Sequence, residues 1–184
     1  MKDLEVFVPA ADSPGVLRLR ERLKMGEPVI VQILPAEFSR PFQCYQNVDY
    51  AVQQFGGRRI DGWALWQYED FFAEAEHHAI WQSPRGEMAC ISPQEYKTDR
   101  LLFCSSAFAK YEGRRIQNER EILRCRQKVE TYLSAVDATN QVRYEFHEQG
   151  LQLEDYLMKP RFSVALSAAE SALIALCEER PTNT

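Results

Sequence analysis

The residue types most able to do chemistry in this 184-residue chain are five cysteines and three histidines. Cys44 differs from the other cysteines because the apolar pattern predicts a helix over Cys44–Phe55, which begins at this residue. The positive end of a helix dipole stabilises a thiolate and makes the thiol a better nucleophile at neutral pH. Cys44 is therefore the candidate nucleophile, whereas Cys104, Cys125 and Cys177 lie in apolar or helical patterns typical of packing residues.

A nucleophilic thiol needs a general base, and the strand-like segment Phe72–Trp81 carries two adjacent histidines. Alternation puts His77 on a face of small apolar residues, which predicts that it packs against a neighbouring element. His78 shares the opposite face with Glu74 and Glu76. Because a nearby carboxylate can fix the tautomer of an imidazole and raise its pKa, this pattern favours His78 as the base.

Three more side chains are candidates for contacts with a substrate. Asn47 lies three residues after Cys44, where its amide could orient the thiol or a substrate, or could only hydrogen-bond the start of the helix. Trp66 and Trp81 could line a substrate groove, or could belong to the core and the sheet surface.

The elements that must position these residues indicate an α+β protein. Periodicity predicts helices over 16–24, 44–55, 116–136 and 163–178, and strands over 29–34, 59–68, 72–81, 87–92 and 100–104. We expect an α+β domain with an N-terminal helix over residues 1–136 and a helical C-terminal extension over 137–184, with the polar run 137–141 at the boundary.

Composition also indicates which partners, cellular location and cofactors to expect. The formal net charge of −5 does not favour a nucleic-acid partner, and the sequence suggests neither a membrane span nor a secretory signal. The cysteines form no C-x-x-C pair, which predicts neither a disulfide framework nor a zinc ribbon. We therefore expect a cytoplasmic protein without a cofactor, and the oligomeric state stays undefined.

Several motifs resemble a family of small bacterial and phage proteins that are sometimes encoded near SEC-C zinc-binding modules. They are Cys44-Tyr45-Gln46-Asn47-Val48, Gly62-Trp63-Ala64-Leu65-Trp66, Glu74-Ala75-Glu76-His77-His78-Ala79-Ile80-Trp81, Gly86-Glu87 and Ile91-Ser92-Pro93, followed by a weaker match through 111–114 and Asn118. The element order is a cysteine on a helix, a histidine on a strand and a polar residue on the next strand. This order is similar to the papain-like superfamily, which includes transglutaminase-like enzymes, arylamine acetyltransferases and cell-wall peptidases.

The resemblance implies a papain-like core of helix and antiparallel sheet over roughly residues 28–112, with Cys44 as nucleophile and His78 as base. The third residue of such a triad would fall in the strand over 87–92, where the family pattern has Asp and this chain has Cys90. A thiol cannot supply the charge of a carboxylate, so Glu76 is an alternative third residue.

Two functions follow from this resemblance. The first is a thiol-dependent hydrolase or acyltransferase (peptidase, amidase, deamidase or transglutaminase-like) that acts on a protein or peptide. The alternative is a catalytically degenerate domain that binds a peptide or protein partner, for which Cys90 in place of an acid is the main reason. A third interpretation of the same residues, a zinc site, would combine Cys44, His78 and Cys90, with Glu76 or Asn47 as a further ligand.

Overall fold

A computed structural model of the chain describes residues 4–114, 116–149, 151, 153–157 and 159–180, which form a mixed α+β fold. These residues divide into two compact units, one of residues 5–121 and the other chiefly of residues from Ile122 onward. The elements are β1 (Val6–Phe7), α1 (Pro14–Arg22), β2 (Pro28–Ile33), α2 (Cys44–Phe55), β3 (Arg58–Tyr68), β4 (Phe72–Gln82), β5 (Met88–Cys90), β6 (Arg100–Ser105), β7 (Glu119–Ile122), α3 (Arg126–Glu148), α4 (Leu153–Tyr156) and α5 (Pro160–Cys177).

The sheet of the first unit closes into a five-stranded barrel in the order β3-β6-β2-β5-β4, because β4 also pairs with β3. The pair β2–β5 is parallel, and the other four pairs of the barrel are antiparallel. β1 extends the sheet beside β3, and β7 extends it beside β4. Closure gives each barrel strand a partner on both sides, which removes unpaired edges.

Strict alternation along β3 and β4 separates an inner face from an outer face. The inner face contributes to a buried cluster that consists of Val31, Ile33, Ala64, Trp66, Ile80, Cys90, Leu101 and Phe103. The outer face of the hairpin carries Trp63, Leu65, Ala73 and Ala75, which pack with Val16 and Leu19 of α1. The small side chains predicted on this face therefore let a helix approach the sheet.

α2 covers another part of the outer surface and has the predicted bounds. It begins at Cys44 and ends before Gly56, whose φ of +73° suits a residue without a Cβ atom. Val48 and Ala51 of α2 share a buried cluster with Cys44 and with Ala79 of β4. This packing brings the first residue of α2 next to the strand that carries the histidines.

The segment after residue 115 differs from the prediction. The helix expected over 116–136 is replaced by strand β7 and by α3, which begins ten residues later than expected at Arg126. The many charges of this segment resemble a solvated helix face, but Arg120 of β7 donates from Nε to the buried carboxylate of Glu74, 2.7 Å away. This tertiary ion pair joins β7 to β4.

The expected domain boundary also lies elsewhere. α3 continues through residues 137–141, and the compact units divide between residues 121 and 122 instead. The polar residues of this run fit inside a helix because Thr139 Oγ1 donates to the carbonyl of Ala135, 2.9 Å away. In this second unit α3 packs against α5, with Val142, Tyr156 and Phe162 buried together.

α5 is, within the described residues, the one helix whose length and composition would allow it to cross a membrane. Its mean hydropathy is 1.2 over 18 residues, and 11% of this stretch is buried. The sequence suggests no membrane span. A single helix of this kind is weak evidence for one, because an apolar helix that packs on a neighbour passes the same test.

The close approach of β3 and β6 predicts a stability effect at Gly62. A Cβ atom there would lie 2.2 Å from the carbonyl oxygen of Cys104 and 2.9 Å from Cα of Ser105, and backbone atoms cannot move aside cheaply. We expect Gly62→Ala to lower the free energy of unfolding by about 3 kcal/mol, measured by urea denaturation.

Gly86→Ala is the matched control because a Cβ atom at Gly86 meets nothing within 4 Å. Its φ of +90° should cost about 1 kcal/mol of backbone strain. A Gly62 variant as stable as the Gly86 variant would contradict the close packing of these two strands.

Candidate active site

Three side chains from three elements meet around the imidazole of His78. Cys44 at the start of α2 lies close enough to His78 of β4 for its charge to influence the imidazole. The Nε2 atom of His78 lies 3.3 Å from Sγ of Cys90, the last residue of β5. The exposed fractions are 4% for Cys44, 1% for His78 and 0% for Cys90, so the cluster is almost closed to solvent. The structure thus brings together the two members of the predicted pair and the residue at the predicted third position.

The β4–β5 hairpin positions Cys90. The backbone N–H of Ser83 donates to the carbonyl of Glu87 at 2.8 Å, and Gly86 takes the left-handed φ that closes the turn. β5 then pairs with β2, and beyond it the N–H of Leu34 donates to the carbonyl of Cys90 at 2.8 Å. Cys90 is therefore fixed by strands on both sides.

The contacts of Cys90 assign the tautomer of His78. The thiol donates to the carbonyl of Ser92 at 3.6 Å and accepts from Nε2 of Gln94 at 3.3 Å. A thiol has one hydrogen, so a thiol that donates to Ser92 can only accept from the imidazole. We assign the hydrogen to Nε2 of His78 on this ground. Nδ1 then carries no hydrogen, and it forms no hydrogen bond with any residue that the structure describes.

Gln94 was not among the predicted site residues. Its amide donates to Sγ of Cys90 at 3.3 Å and to the carbonyl of Ser92 at 3.2 Å. It follows the end of β5, and no motif in the sequence marks it. Only the folded path of the chain after Cys90 brings it to the thiol.

Glu76 does not act as a close partner of the imidazole. Its Oε1 atom lies 3.9 Å from Nδ1 of His78, which is longer than a hydrogen bond. Its Oε2 atom accepts from the indole N–H of Trp66 at 3.1 Å. The carboxylate therefore affects His78 through its charge alone, and the residue in contact with Nε2 is Cys90.

The two thiols affect the charge of His78. Burial, the largest single effect, lowers the pKa of His78, but the charges and hydrogen bonds of Cys44 and Cys90 together raise this pKa well above its usual value of 6.5. A buried imidazolium needs a partner of opposite charge. A thiolate at Cys44, at the positive end of α2, is a suitable one.

Glu74 belongs to a separate polar network on the inner face of β4. Its carboxylate accepts from Arg120 Nε and, at 3.3 Å, from the hydroxyl of Tyr68, which lies 2.5 Å from the hydroxyl of Tyr96. Burial raises the pKa of Glu74 despite the opposing charge of Arg120. This network fastens β7 to the barrel.

Asn47 holds two loops beside the start of α2. Its Nδ2 atom donates to the carbonyl of Arg40 at 2.8 Å and to Oγ of Ser92 at 2.9 Å, while its Oδ1 atom accepts from the N–H of Arg40 at 3.0 Å. Asn47 is 4% exposed, so these contacts use an amide with little access to solvent. Of the two predicted roles, the geometry favours a local structural one, and Ser92 links it to Cys90.

The two tryptophans predicted to line a groove have different positions. Trp66 is 0% exposed inside the barrel and therefore does not line a surface groove. Trp81 is partly exposed, and its indole N–H donates at 3.0 Å to the carbonyl of Gly56 at the end of α2. Trp81 thus joins the far end of this helix to β4.

His77 lies on the opposite face of β4 from His78, as its predicted packing role requires. Its ring contacts the rings of Tyr45 and Trp63, with centroids 5.1 and 5.4 Å away. Nδ1 accepts from the N–H of Ile116 at 3.0 Å, so Nε2 donates to the carbonyl of Ala109 at 2.8 Å. Both ring nitrogens are therefore occupied by backbone groups.

The zinc interpretation gains no support from the geometry. Within the described part of the chain, no group of three or more His, Cys, Asp or Glu side chains has an arrangement that could hold a metal ion.

Comparison of the chain with protein-family models, curated proteins and solved structures finds no match. The function must therefore be inferred from the residues themselves.

The interaction between His78 and Cys44 predicts how the stability of the folded protein and the protonation of His78 depend on pH. Because the folded-state pKa of His78 lies above 6.5, its protonation stabilises the folded protein below that pH, and this contribution is lost as the pH rises through the raised pKa. Cys44→Ala removes a charge beside the imidazole, so we expect the pKa of His78 to fall. Histidine side-chain NMR over a pH series measures this change.

Cys125→Ala is the control, since Cys125 belongs to the second unit. It should leave the His78 titration unchanged. A His78 that titrates at or below 6.5 in the unmodified protein would contradict the thiolate–imidazolium pair.

Proposed function

We propose that this protein is a cytoplasmic thiol-dependent hydrolase or acyltransferase with a papain-like arrangement of Cys44 and His78. The observation that carries the proposal is that the Cys44 thiol, at the N-terminus of α2, lies close enough to His78 to interact with its charge. A nucleophile in contact with a base is the minimal machinery for covalent catalysis at a carbonyl carbon. The substrate class, a protein or peptide amide, comes from the resemblance of the motifs to papain-like enzymes.

The reaction would begin from the Cys44 thiolate and the His78 imidazolium, the proton of the thiol having passed to the imidazole. The thiolate then attacks the carbonyl carbon, and the electron pair of the C=O bond moves to oxygen. Backbone N–H groups in the first turn of α2 are suited to stabilise this oxyanion. Collapse of the intermediate expels the amine, which takes the proton from His78.

The resulting thioester on Cys44 would be cleaved by a second nucleophile. His78 removes a proton from water or from an acceptor amine, which attacks the thioester carbonyl, and the thiolate leaves. Water gives hydrolysis or deamidation, whereas an amine gives acyl transfer. The 4% exposure of Cys44 favours a substrate that reaches the thiol through a narrow opening, such as an extended side chain.

Cys90 supports the imidazole from the place of a triad acid. Its contact with Nε2 holds the ring and selects one tautomer, which is the positional part of the role of a triad acid. The stabilisation of an imidazolium by a carboxylate is missing at this position, and Glu76 at 3.9 Å offsets part of it. We therefore expect a slow enzyme rather than an inactive one.

The alternative is a catalytically degenerate domain that binds a peptide or protein partner. It is favoured by Cys90 in the place of an acid and by the almost complete burial of the Cys44–His78 pair. The two proposals differ in one property of the free protein. If Cys44 is a nucleophile, its thiol is activated at neutral pH. If Cys44 is only a packing residue, its thiol is not activated.

The proposal predicts that Cys44 is the fastest of the five thiols to react with iodoacetamide at pH 6. Burial raises the pKa of Cys104 to about 11, so this thiol is an internal slow reference. Partly exposed Cys125 is the reference for an ordinary thiol. Peptide mapping by mass spectrometry should show Cys44 modified at least about tenfold faster than Cys125, because a lowered thiol pKa increases the thiolate fraction.

His78→Gln separates activation from accessibility. It keeps a polar side chain but removes the base, so the rate at Cys44 should fall to or below that at Cys125. If Cys44 reacts no faster than Cys125 in the unmodified protein, the enzyme proposal fails and the binding domain is favoured.

A further inference from the structure

A cavity of about 600 Å³ opens at one end of the barrel, near the start of β3 and the end of β6. Val29, Ile60, Met88 and Phe103 contribute apolar side chains to its lining. Val29 pairs with Phe103 in the ladder between β2 and β6, so these two lie on the same face of the sheet. Its volume is within the range of small-molecule sites. None of Cys44, His78 and Cys90 lines it.

Two cations at this opening have no anionic partner among the described residues. Arg58 and Lys110 line the cavity, are exposed and form no ion pair with any residue that the structure describes. Arg58 donates from Nε to the amide oxygen of Gln82, a neutral acceptor, at 2.5 Å. The positive charges of both side chains are therefore available to a ligand.

The acidic residues of the lining are mostly neutralised. Asp61 accepts from Arg59 at 2.8 Å, and Glu27 accepts from Arg20 at 2.8 Å. Glu112 is the one other carboxylate in the lining, and it is exposed, so solvent screens its charge. Among the described residues, the charges at the opening that have no ion-pair partner are thus two cations and one anion, all three exposed to solvent.

We propose that the barrel mouth binds a small amphipathic carboxylate, such as a medium-chain fatty acid. The apolar chain lies against Phe103, Ile60 and Met88, and the carboxylate interacts with Arg58 and Lys110. Phe103 is 1% exposed and gives the cavity a fixed floor, whereas Met88 is 38% exposed and unbranched, so it can adapt to the chain. This site is independent of the proposed catalysis, because it shares no residue with the Cys44 cluster.

Isothermal titration calorimetry of the whole chain with sodium decanoate, kept below the concentration at which it forms micelles, tests this site. We expect saturable binding with one ligand per chain. Decanol lacks the charge and inorganic phosphate lacks the apolar chain, so each should bind at least about tenfold more weakly. Equal binding of decanol or phosphate would overturn the proposed ligand class, and no binding of decanoate would overturn the site.

The double variant Arg58→Gln/Lys110→Gln removes two exposed charges, so it should fold normally, as circular dichroism can verify. We expect a loss of at least about tenfold in decanoate affinity, since both charge-assisted contacts disappear. Arg85→Gln/Lys97→Gln is the matched control, because both of these cations are exposed and lie outside the lining. Equal loss in both double variants would mean that net charge, and not this site, attracts the ligand.

Met88→Glu tests the apolar part of the same proposal. A carboxylate at position 88 of the lining should weaken decanoate binding, while alkylation of Cys44 keeps its rate because Met88 lies outside that cluster. Unchanged decanoate affinity in this variant would place the ligand elsewhere and overturn the proposal. A failure of the catalytic proposal would instead appear in the alkylation of the unmodified protein.

Discussion

The contact of one imidazole with two thiols is the interaction on which the candidate site depends. His78, Cys44 and Cys90 come from a long strand, from the start of a helix and from a three-residue strand. The local β4–β5 hairpin brings only His78 and Cys90 together. All three meet because the barrel closes and because α2 packs on its outer surface, so the site and the fold have the same physical origin.

Closure of the barrel affects the charge of the buried side chains of β4 as well as their position. It buries His78 completely, and an imidazole without partners would then lose its proton. The thiols reverse this effect and favour the charged ring. On the inner face of the same strand, Glu74 keeps its counter-ion through Arg120 of β7. Strand β4 thus carries two buried charged groups, each stabilised by a partner from another element.

Much of the local structure could be predicted from the sequence. The bounds of α2 follow from its apolar stripe and from Gly56, and alternation along β4 separates His77 from His78. The parallel pairing of β2 with β5 could not be predicted, because it joins segments more than fifty residues apart. The same holds for Gln94 and for the role of Asn47, since their partners depend on loop paths. The boundary predicted at 137–141 failed because polar residues can also be accommodated within a long helix.

The central claim is that Cys44 and His78 form a thiolate–imidazolium pair. The most direct measurement is the ultraviolet absorbance of the thiolate as a function of pH, taken as the difference between the unmodified protein and Cys44→Ser. We expect a thiolate that forms well below pH 8.5, the usual thiol value, and that requires His78. Thiolate absorbance that appears only near pH 8.5, or that is unchanged in His78→Gln, would contradict the account.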